Sequence, residues 1–378
     1  MHRVLVLGGG FGGIAAAVAL RNRLAPEDEV VLIERRPSFV MGLRKNWGIV
    51  GSAALRDGER ALAELGGRGI EVVAGTIDAI RPDDRAADVD GRTIAADAVV
   101  VALGAERDPD RIPGFRAHAL DVYDRDANAA NAAAIDAFAG GRIVIGIFGV
   151  PYPCPPAPYE LALLLAERLE REGTGGGIFV FTPQSGSLPV LGDAGCAAFD
   201  GRLANEGITL RPKTVATAVE PGAVVAADTR IPFDLLLGIA PHRVPAVVVA
   251  AGLAEAGGWI KVDPRTLETG RPGVFAIGDV TAIPIGPGQA LPKAGVFAHA
   301  EAEVVAARIA DGFAGRTAAA AFDGHGMCFL ETGRGRATMV RGNFFASPPD
   351  VSLADATPEN LAAKHAFEAD RLTAWFGR

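Results

Sequence analysis

Val4 to Leu7 is an all-apolar run of the kind a buried parallel strand needs. It passes straight into Gly8-Gly9-Gly10-Phe11-Gly12-Gly13 and then into an alanine-rich stretch of helical character, Ile14 to Leu24. A second apolar run, Val30 to Ile33, ends at Glu34. Strand, GxGxxG turn, helix, strand and an acid about 20 residues on compose the βαβ unit that binds a dinucleotide. The glycines have separate duties: Gly8 permits the tight turn, Gly10 lets the backbone approach a pyrophosphate, and Gly13 brings helix against strand. The helix N-terminus turns N–H groups and a partial positive charge toward the phosphates. Glu34 is expected to accept hydrogen bonds from the adenosine ribose. The alternative is a plain glycine-rich turn, and the strand–turn–helix setting weighs against it.

Composition narrows the rest. At 378 residues the chain has room for two or three domains. Its 45 acidic side chains exceed its 37 basic ones, a net charge of −8 without a long run of like sign, which argues against a nucleic-acid partner. Three cysteines, Cys154, Cys196 and Cys328, form no CxxC pair, and six histidines form no HExxH helix, so neither a zinc site nor a disulfide framework is expected. Hydrophobic residues reach 49%, yet no uninterrupted apolar stretch approaches the about 18 residues of a spanning helix. His2 and Arg3 lead directly into the first strand without an export leader, which predicts a cytoplasmic location. Thiols there stay reduced unless redox chemistry uses them.

Two later segments bear on which dinucleotide binds. Asp97 to Leu103 reads as a buried strand ending at Gly104, and Gly273 to Val280 as a strand ending in Gly278-Asp279. The first resembles the strand-and-glycine crossover of two-dinucleotide flavoproteins, with Leu103 where a threonine is usual. The second resembles their distal flavin motif, whose aspartate binds the ribityl chain. The resemblance implies FAD, held by Gly8, Gly10, Phe11, Gly12, Gly13, Glu34, Gly104, Gly278, Asp279 and Lys293.

A second α/β unit lies between these halves: strands at Arg142 to Phe148 and Gly177 to Phe181, with a helix from Tyr159 to Arg171. Its first turn carries Pro151, Pro153, Pro155, Pro156 and Pro158, and proline offers no N–H to a phosphate. The next strand ends at Thr182-Pro183, without an acid or arginine to read a ribose. A nicotinamide cofactor is therefore disfavoured in this unit. Cys154 stands in that turn, just before the helix, where the helix dipole is expected to favour its thiolate.

The segment VPYPCPPAPYELA around Cys154 resembles the first redox-cysteine loop of the flavin subunit of flavocytochrome c sulfide dehydrogenase and, less closely, of the sulfide:quinone oxidoreductases. FDGHGMCFLETG around Cys328 resembles the region of the second redox cysteine in the quinone-linked enzymes, and Leu291-Pro-Lys293-Ala-Gly295 their segment beside the isoalloxazine. The resemblance spans nearly the whole chain. It implies that Cys154 and Cys328 form a redox pair, bridged by a disulfide or polysulfide, that sulfide opens on its way to reducing the flavin. It also implies Glu160 as a proton-transfer candidate and Lys293 as a cation for the reduced flavin. The bland alternatives are two unrelated buried thiols and a helix-start carboxylate. Cys196 matches no motif, and His325 reads as a loop histidine more readily than as a base. No cysteine occurs between Pro37 and Gly51, where the flavocytochrome attaches FAD, so the FAD is expected to be non-covalent. Quinone is the implied acceptor, with Phe329, Phe344 and Phe345 as candidate ring contacts.

Thr357-Pro358-Glu359 opens a last helix with good capping chemistry. Leu361, Leu372, Trp375 and Phe376 share one face, which Glu368 interrupts, and Phe367 lies elsewhere. That face suits packing on its own domain, a second subunit in a homodimer, or peripheral contact with a membrane. The expected fold class is α/β, a tandem Rossmann-like flavoprotein with two dinucleotide-binding-type domains. Residues 1–110 and 245–315 would form the FAD domain, 111–244 the second domain, and 316–378 a C-terminal segment. The expected activity is FAD-dependent oxidation of sulfide or a related small sulfur compound with transfer to quinone. A type II NADH:quinone reductase and a flavin–thiol redox sensor are the alternatives.

Overall fold

The computed structural model of the chain describes every residue except 228, 287 and 378. Strand β1 (Arg3–Leu7) is buried along nearly its whole length, as a strand covered on both faces by helices must be. Helix α1 (Phe11–Arg21) begins three residues earlier than the apolar pattern suggests, because the phosphate-type turn itself supplies its first turn. Strand β2 (Glu29–Glu34), helix α2 (Arg44–Val50), β3 (Ile70–Ala74) and β4 (Ala98–Val101) follow. The Val274–Ala276 strand joins them from far along the chain, giving a five-stranded parallel sheet in the order Val274–Ala276, β4, β1, β2, β3. That is the Rossmann arrangement the N-terminal fingerprint calls for.

The second unit repeats the architecture. Strands β5 (Leu120–Asp121), β6 (Gly141–Ile147), β7 (Gly176–Phe181), β8 (Thr209–Arg211) and β9 (Leu235–Ile239) pair in parallel in the order β5, β9, β6, β7, β8. Helix α3 (Ala157–Glu172) connects β6 to β7 as a buried crossover. Each sheet carries a three-stranded antiparallel appendage, residues 77–95 and 216–232.

Helix α4 (Gly295–Phe313) packs along α1 over the first sheet. The C-terminal segment then forms an antiparallel sheet, β10 (His325–Gly333), β11 (Arg336–Asn343) and β12 (Asp350–Leu353), and helix α5 (Pro358–Phe376). Leu330 and Val340 enter the core of the second unit, whereas Phe344, Leu372, Trp375 and Phe376 enter that of the first. One face of α5 thus packs on its own chain. Its cap is the one the sequence predicts: Thr357 Oγ1 accepts a hydrogen bond from Asn360 N at 3.1 Å, with Pro358 at the first position. Among the described residues no helix is long and apolar enough to cross a membrane.

Candidate active site

The glycine turn can be tested atom by atom. Gly8 has φ +106°, and a Cβ there would lie 2.6 Å from Ala102 O; a Cβ on Gly13 would lie 1.8 Å from Gly8 O. Neither position admits a side chain. Gly10, by contrast, has nothing within 4 Å of an added Cβ, and Gly104 likewise faces open space at φ +67°. Glycine at Gly10 therefore keeps room for something the chain itself does not fill. Gly12 packs toward Ala298 of α4, and the Phe11 ring covers Gly295. The Glu34 carboxylate, at the tip of β2, accepts from Gly9 N at 2.7 Å and Arg36 N at 2.9 Å, which leaves lone pairs for a ribose.

The opposite end of this groove is polar and desolvated. Gly278 turns at φ +72° and donates to buried Glu301 at 2.6 Å, whose carboxyl burial pushes up to about 7. Burial also raises Asp279. Lys293 Nζ donates to Asp279 O at 2.6 Å and Thr281 O at 2.8 Å, lies 3.5 Å from the centre of the Trp259 ring, and is lowered by burial to about 8. Lys45 bonds Tyr123 O at 2.7 Å and is also lowered to about 8, burial being the main cause. Asp279, Lys45 and Tyr123 retain partial exposure even though burial dominates their titration. FAD, if held as the sequence motifs imply, would set its phosphates over Gly10, its ribose at Glu34 and its flavin toward Asp279 and Lys293.

The Cys154 backbone adjoins this region. The proline turn expected to bind no phosphate is committed elsewhere: Cys154 N donates to Lys293 O at 2.6 Å, Cys154 O accepts from Tyr123 Oη at 3.2 Å and from Ala157 N at 2.9 Å. Cys154 is held at φ +50°, a left-handed conformation that a non-glycine residue adopts only when its surroundings impose it. Cys328 lies in the middle of β10, opposite Val340 of β11. The two free thiols are near enough to act on each other's titration, and Cys328 Sγ also donates to Phe329 O at 3.6 Å. This corrects the expectation for the thiolate. The neighbouring Cys328 first, and burial second, hold the Cys154 thiol well above the usual range, whereas the neighbouring Cys154 lowers Cys328. The dipole of α3 does not prevail at Cys154, and the charge favours the other sulfur.

Glu160, in the first turn of α3, is buried rather than solvated. Its Oε1 accepts from Asn46 Nδ2 at 3.0 Å, and its Oε2 from Glu331 N at 2.8 Å and Lys364 Nζ at 2.7 Å. Lys364 also donates to Glu331 Oε1 at 2.8 Å, an oxygen that Trp47 Nε1 bonds as well. Lys364, Glu331 and Trp47 were absent from the sequence reading. One signal was available: Leu361, Lys364, Glu368, Leu372 and Trp375 lie on a single helical stripe, so α5 carries two charges on its apolar face. Both are buried and paired, Glu368 with Arg44 and Lys364 with the two glutamates.

The remaining candidates separate clearly. Phe329 is half-buried and meets Phe367 of α5 edge-on, with ring centres 6.1 Å apart. Phe344 is core, edge-on to Phe297, and Phe345 packs on Phe322. His325 is exposed beside Asp323 and, three residues along a strand from Cys328, points to the other face. Cys196 is buried on the second unit's helix at Gly192–Asn205, near Ser187.

Two Rossmann-type sheets, a glycine turn of dinucleotide-binding form and a neighbouring pair of free thiols are the features of a flavin-dependent oxidoreductase of the two-dinucleotide-binding-domain type. The family model for pyridine nucleotide-disulphide oxidoreductases matches residues 2–146 and 182–303, and the chain belongs to that family. It is an FAD-dependent member. The chain is 23% identical to the mitochondrial sulfide:quinone oxidoreductase of Mus musculus, covering 98% of this chain and 84% of that protein. It is 25% identical to an NADH dehydrogenase-like protein of Mycobacterium tuberculosis, over 75% of this chain and 73% of the other. The solved sulfide:quinone oxidoreductase of Aquifex aeolicus superposes with a TM-score of 0.89 at 24% identity, covering 100% of this chain and 92% of that one. The family match leaves out residues 147–181 and 304–378, the segments that hold Cys154, Glu160, Cys328 and Lys364.

Proposed function

We propose that the protein oxidises sulfide, or a related small sulfur compound, through Cys154 and Cys328 and passes the electrons to a quinone. The observation that carries this reading is that two thiols distant in sequence come near enough to act on each other's titration, with the Cys154 backbone bonded to Lys293 O and Tyr123 Oη. The likeness to sulfide:quinone oxidoreductases of mouse and Aquifex aeolicus supports the same donor and acceptor. In the oxidised pair, a sulfide sulfur forms a bond to one cysteine sulfur, the Cys154–Cys328 bond breaks, and the other cysteine departs as a thiolate. The sulfur is left as a persulfide. FAD, when bound, supplies the two-electron relay between this sulfur chemistry and the acceptor. The protein's own part is to hold the parts still. Tyr123, Lys293 and Ala157 fix the Cys154 backbone, β10 fixes Cys328, and the Lys293 ammonium offers positive charge at the flavin end of the groove. Phe329, half-buried beside Phe367, is the aromatic surface best placed to receive a quinone ring.

Anaerobic mixing of the FAD-loaded protein with sulfide bleaches the flavin absorbance on this reading, and Cys154→Ser and Cys328→Ser each abolish the bleaching. Unchanged bleaching in both variants would overturn the thiol mechanism. A type II NADH:quinone reductase is the second reading, favoured by the NADH dehydrogenase-like relative. Against it stands the proline-filled first turn of the second unit, whose Cys154 N–H is already committed to Lys293 O. Rapid flavin reduction by NADH, and none by sulfide, selects that alternative.

A further inference from the structure

We propose that Glu301 is a positioning residue for FAD: its carboxylate holds the Gly278 N–H and so fixes the Gly278–Thr281 turn that presents Asp279 to the ribityl chain. The inference rests on the reading of Asp279 as the ribityl contact. Glu301 is 1% exposed and lies on the face of α4 that carries Ala298, Ala302 and Val305, all buried. A carboxyl group on such a face costs stability unless a partner meets it. Its Oε2 accepts from Gly278 N at 2.6 Å. The approach is close because Gly278, at φ +72°, would put a Cβ 3.1 Å from that of Ala298, one helical turn before Glu301.

The main-chain groups of the turn are committed one by one. Ile277 N, just ahead of it, donates to Val101 O of β4 at 3.0 Å. Inside the turn, Thr281 N and Thr281 Oγ1 both donate to Gly278 O, at 3.0 and 2.9 Å. Lys293 Nζ donates to the Asp279 and Thr281 carbonyls, and Glu301 supplies the matching acceptor for the first N–H. Among the described residues no donor engages the Asp279 carboxylate, which keeps its lone pairs for hydroxyl groups. Burial raises the Glu301 carboxyl to about 7, and the Gly278 N–H opposes it by bonding the charged form. The charged groups acting on Glu301 are Asp279, which raises it, and Lys293, which lowers it. Helix α1, packed against α4, carries no ionisable side chain before Arg21, and Arg371 of α5 acts on His299.

The test is release of FAD from the loaded full-length protein on serial dilution, read by recovery of flavin fluorescence at about pH 8, where the Glu301 carboxylate is mostly ionised. The visible circular dichroism of the bound flavin is recorded before dilution. Glu301→Met removes the acceptor at nearly constant volume, so the FAD dissociation constant rises about tenfold and the flavin dichroism changes. Glu301→Gln keeps an acceptor oxygen and stays within about twofold of the wild type. In an Asp279→Ala background, Glu301→Met adds less than about twofold, because Glu301 acts through the turn that carries Asp279. A merely structural role predicts an altered melting temperature in Glu301→Met with the dissociation constant unmoved, or losses that add in the double variant, and either result overturns the proposal. Should Glu301→Met fail to fold, Glu301→Asp decides, since it keeps the charge and draws the oxygens back by one methylene. A dissociation constant raised about threefold in that variant supports the proposal, and an unchanged one overturns it. The two readings fail separately: Asp279→Ala with undiminished FAD retention removes Asp279 as the ribityl contact, whereas weakened retention in Asp279→Ala beside none in Glu301→Met removes Glu301 alone.

Discussion

Gly10 and Gly13 stand three residues apart and call for opposite experimental outcomes. Gly13 is required by the protein's own packing, since a Cβ there would drive into Gly8 O, whereas nothing in the chain approaches Gly10. Gly10→Ala therefore leaves the apoprotein's thermal transition in place and weakens FAD retention on the order of tenfold or more, ~1.4 kcal/mol. Gly13→Ala disrupts the turn and lowers the thermal transition with or without FAD. Equilibrium dialysis against FAD, with circular dichroism of both apoproteins, distinguishes the two glycines. The residues of this turn were legible in the sequence because their duties are local: each answers to neighbours within one βαβ unit. Cys154 was legible as a special cysteine but not as the protonated one. Its thiol is held high by the neighbouring Cys328 and by burial, and chain spacing reveals neither.

At the scale of elements, helices and parallel strands were read closely, with ends that moved by a few residues. The C-terminal β10–β12 sheet was not anticipated. Its strands alternate weakly, and glycines at Gly326, Gly333 and Gly342 interrupt them; their order comes from pairing with one another and from burying Leu330 and Val340 against the second unit. Helix α5 shows the reverse. Its cap and apolar face were evident, whereas Lys364 escaped notice because its partners lie on three other elements. The docking of α5 is carried chiefly by Trp375, which is 2% exposed and meets Phe11 edge-on, with ring centres 4.8 Å apart. Trp375→Ala is expected to cost about 3–5 kcal/mol in a denaturant titration of the FAD-loaded protein. Thr357→Ala, which removes only the cap, is expected to cost about 1 kcal/mol in the same titration.

Across the whole molecule, the two sheets are joined by more than their connecting segments. The C-terminal segment puts Leu330 and Val340 into one core and Phe344, Leu372, Trp375 and Phe376 into the other, so neither core is complete without it. Unfolding followed by flavin release and by far-ultraviolet circular dichroism should accordingly give coincident transitions, and two separated transitions would show that the units melt independently. This long-range closure also sets the order in which a ribosome delivers the working parts. Once residue 320 has emerged, both parallel sheets and every glycine of the FAD groove have been made, but Cys328, Glu331 and Lys364 have not. Synthesis thus delivers the glycines of the dinucleotide turn before the second thiol, and until residue 328 has been made the chain lacks the partner with which Cys154 would close a disulfide.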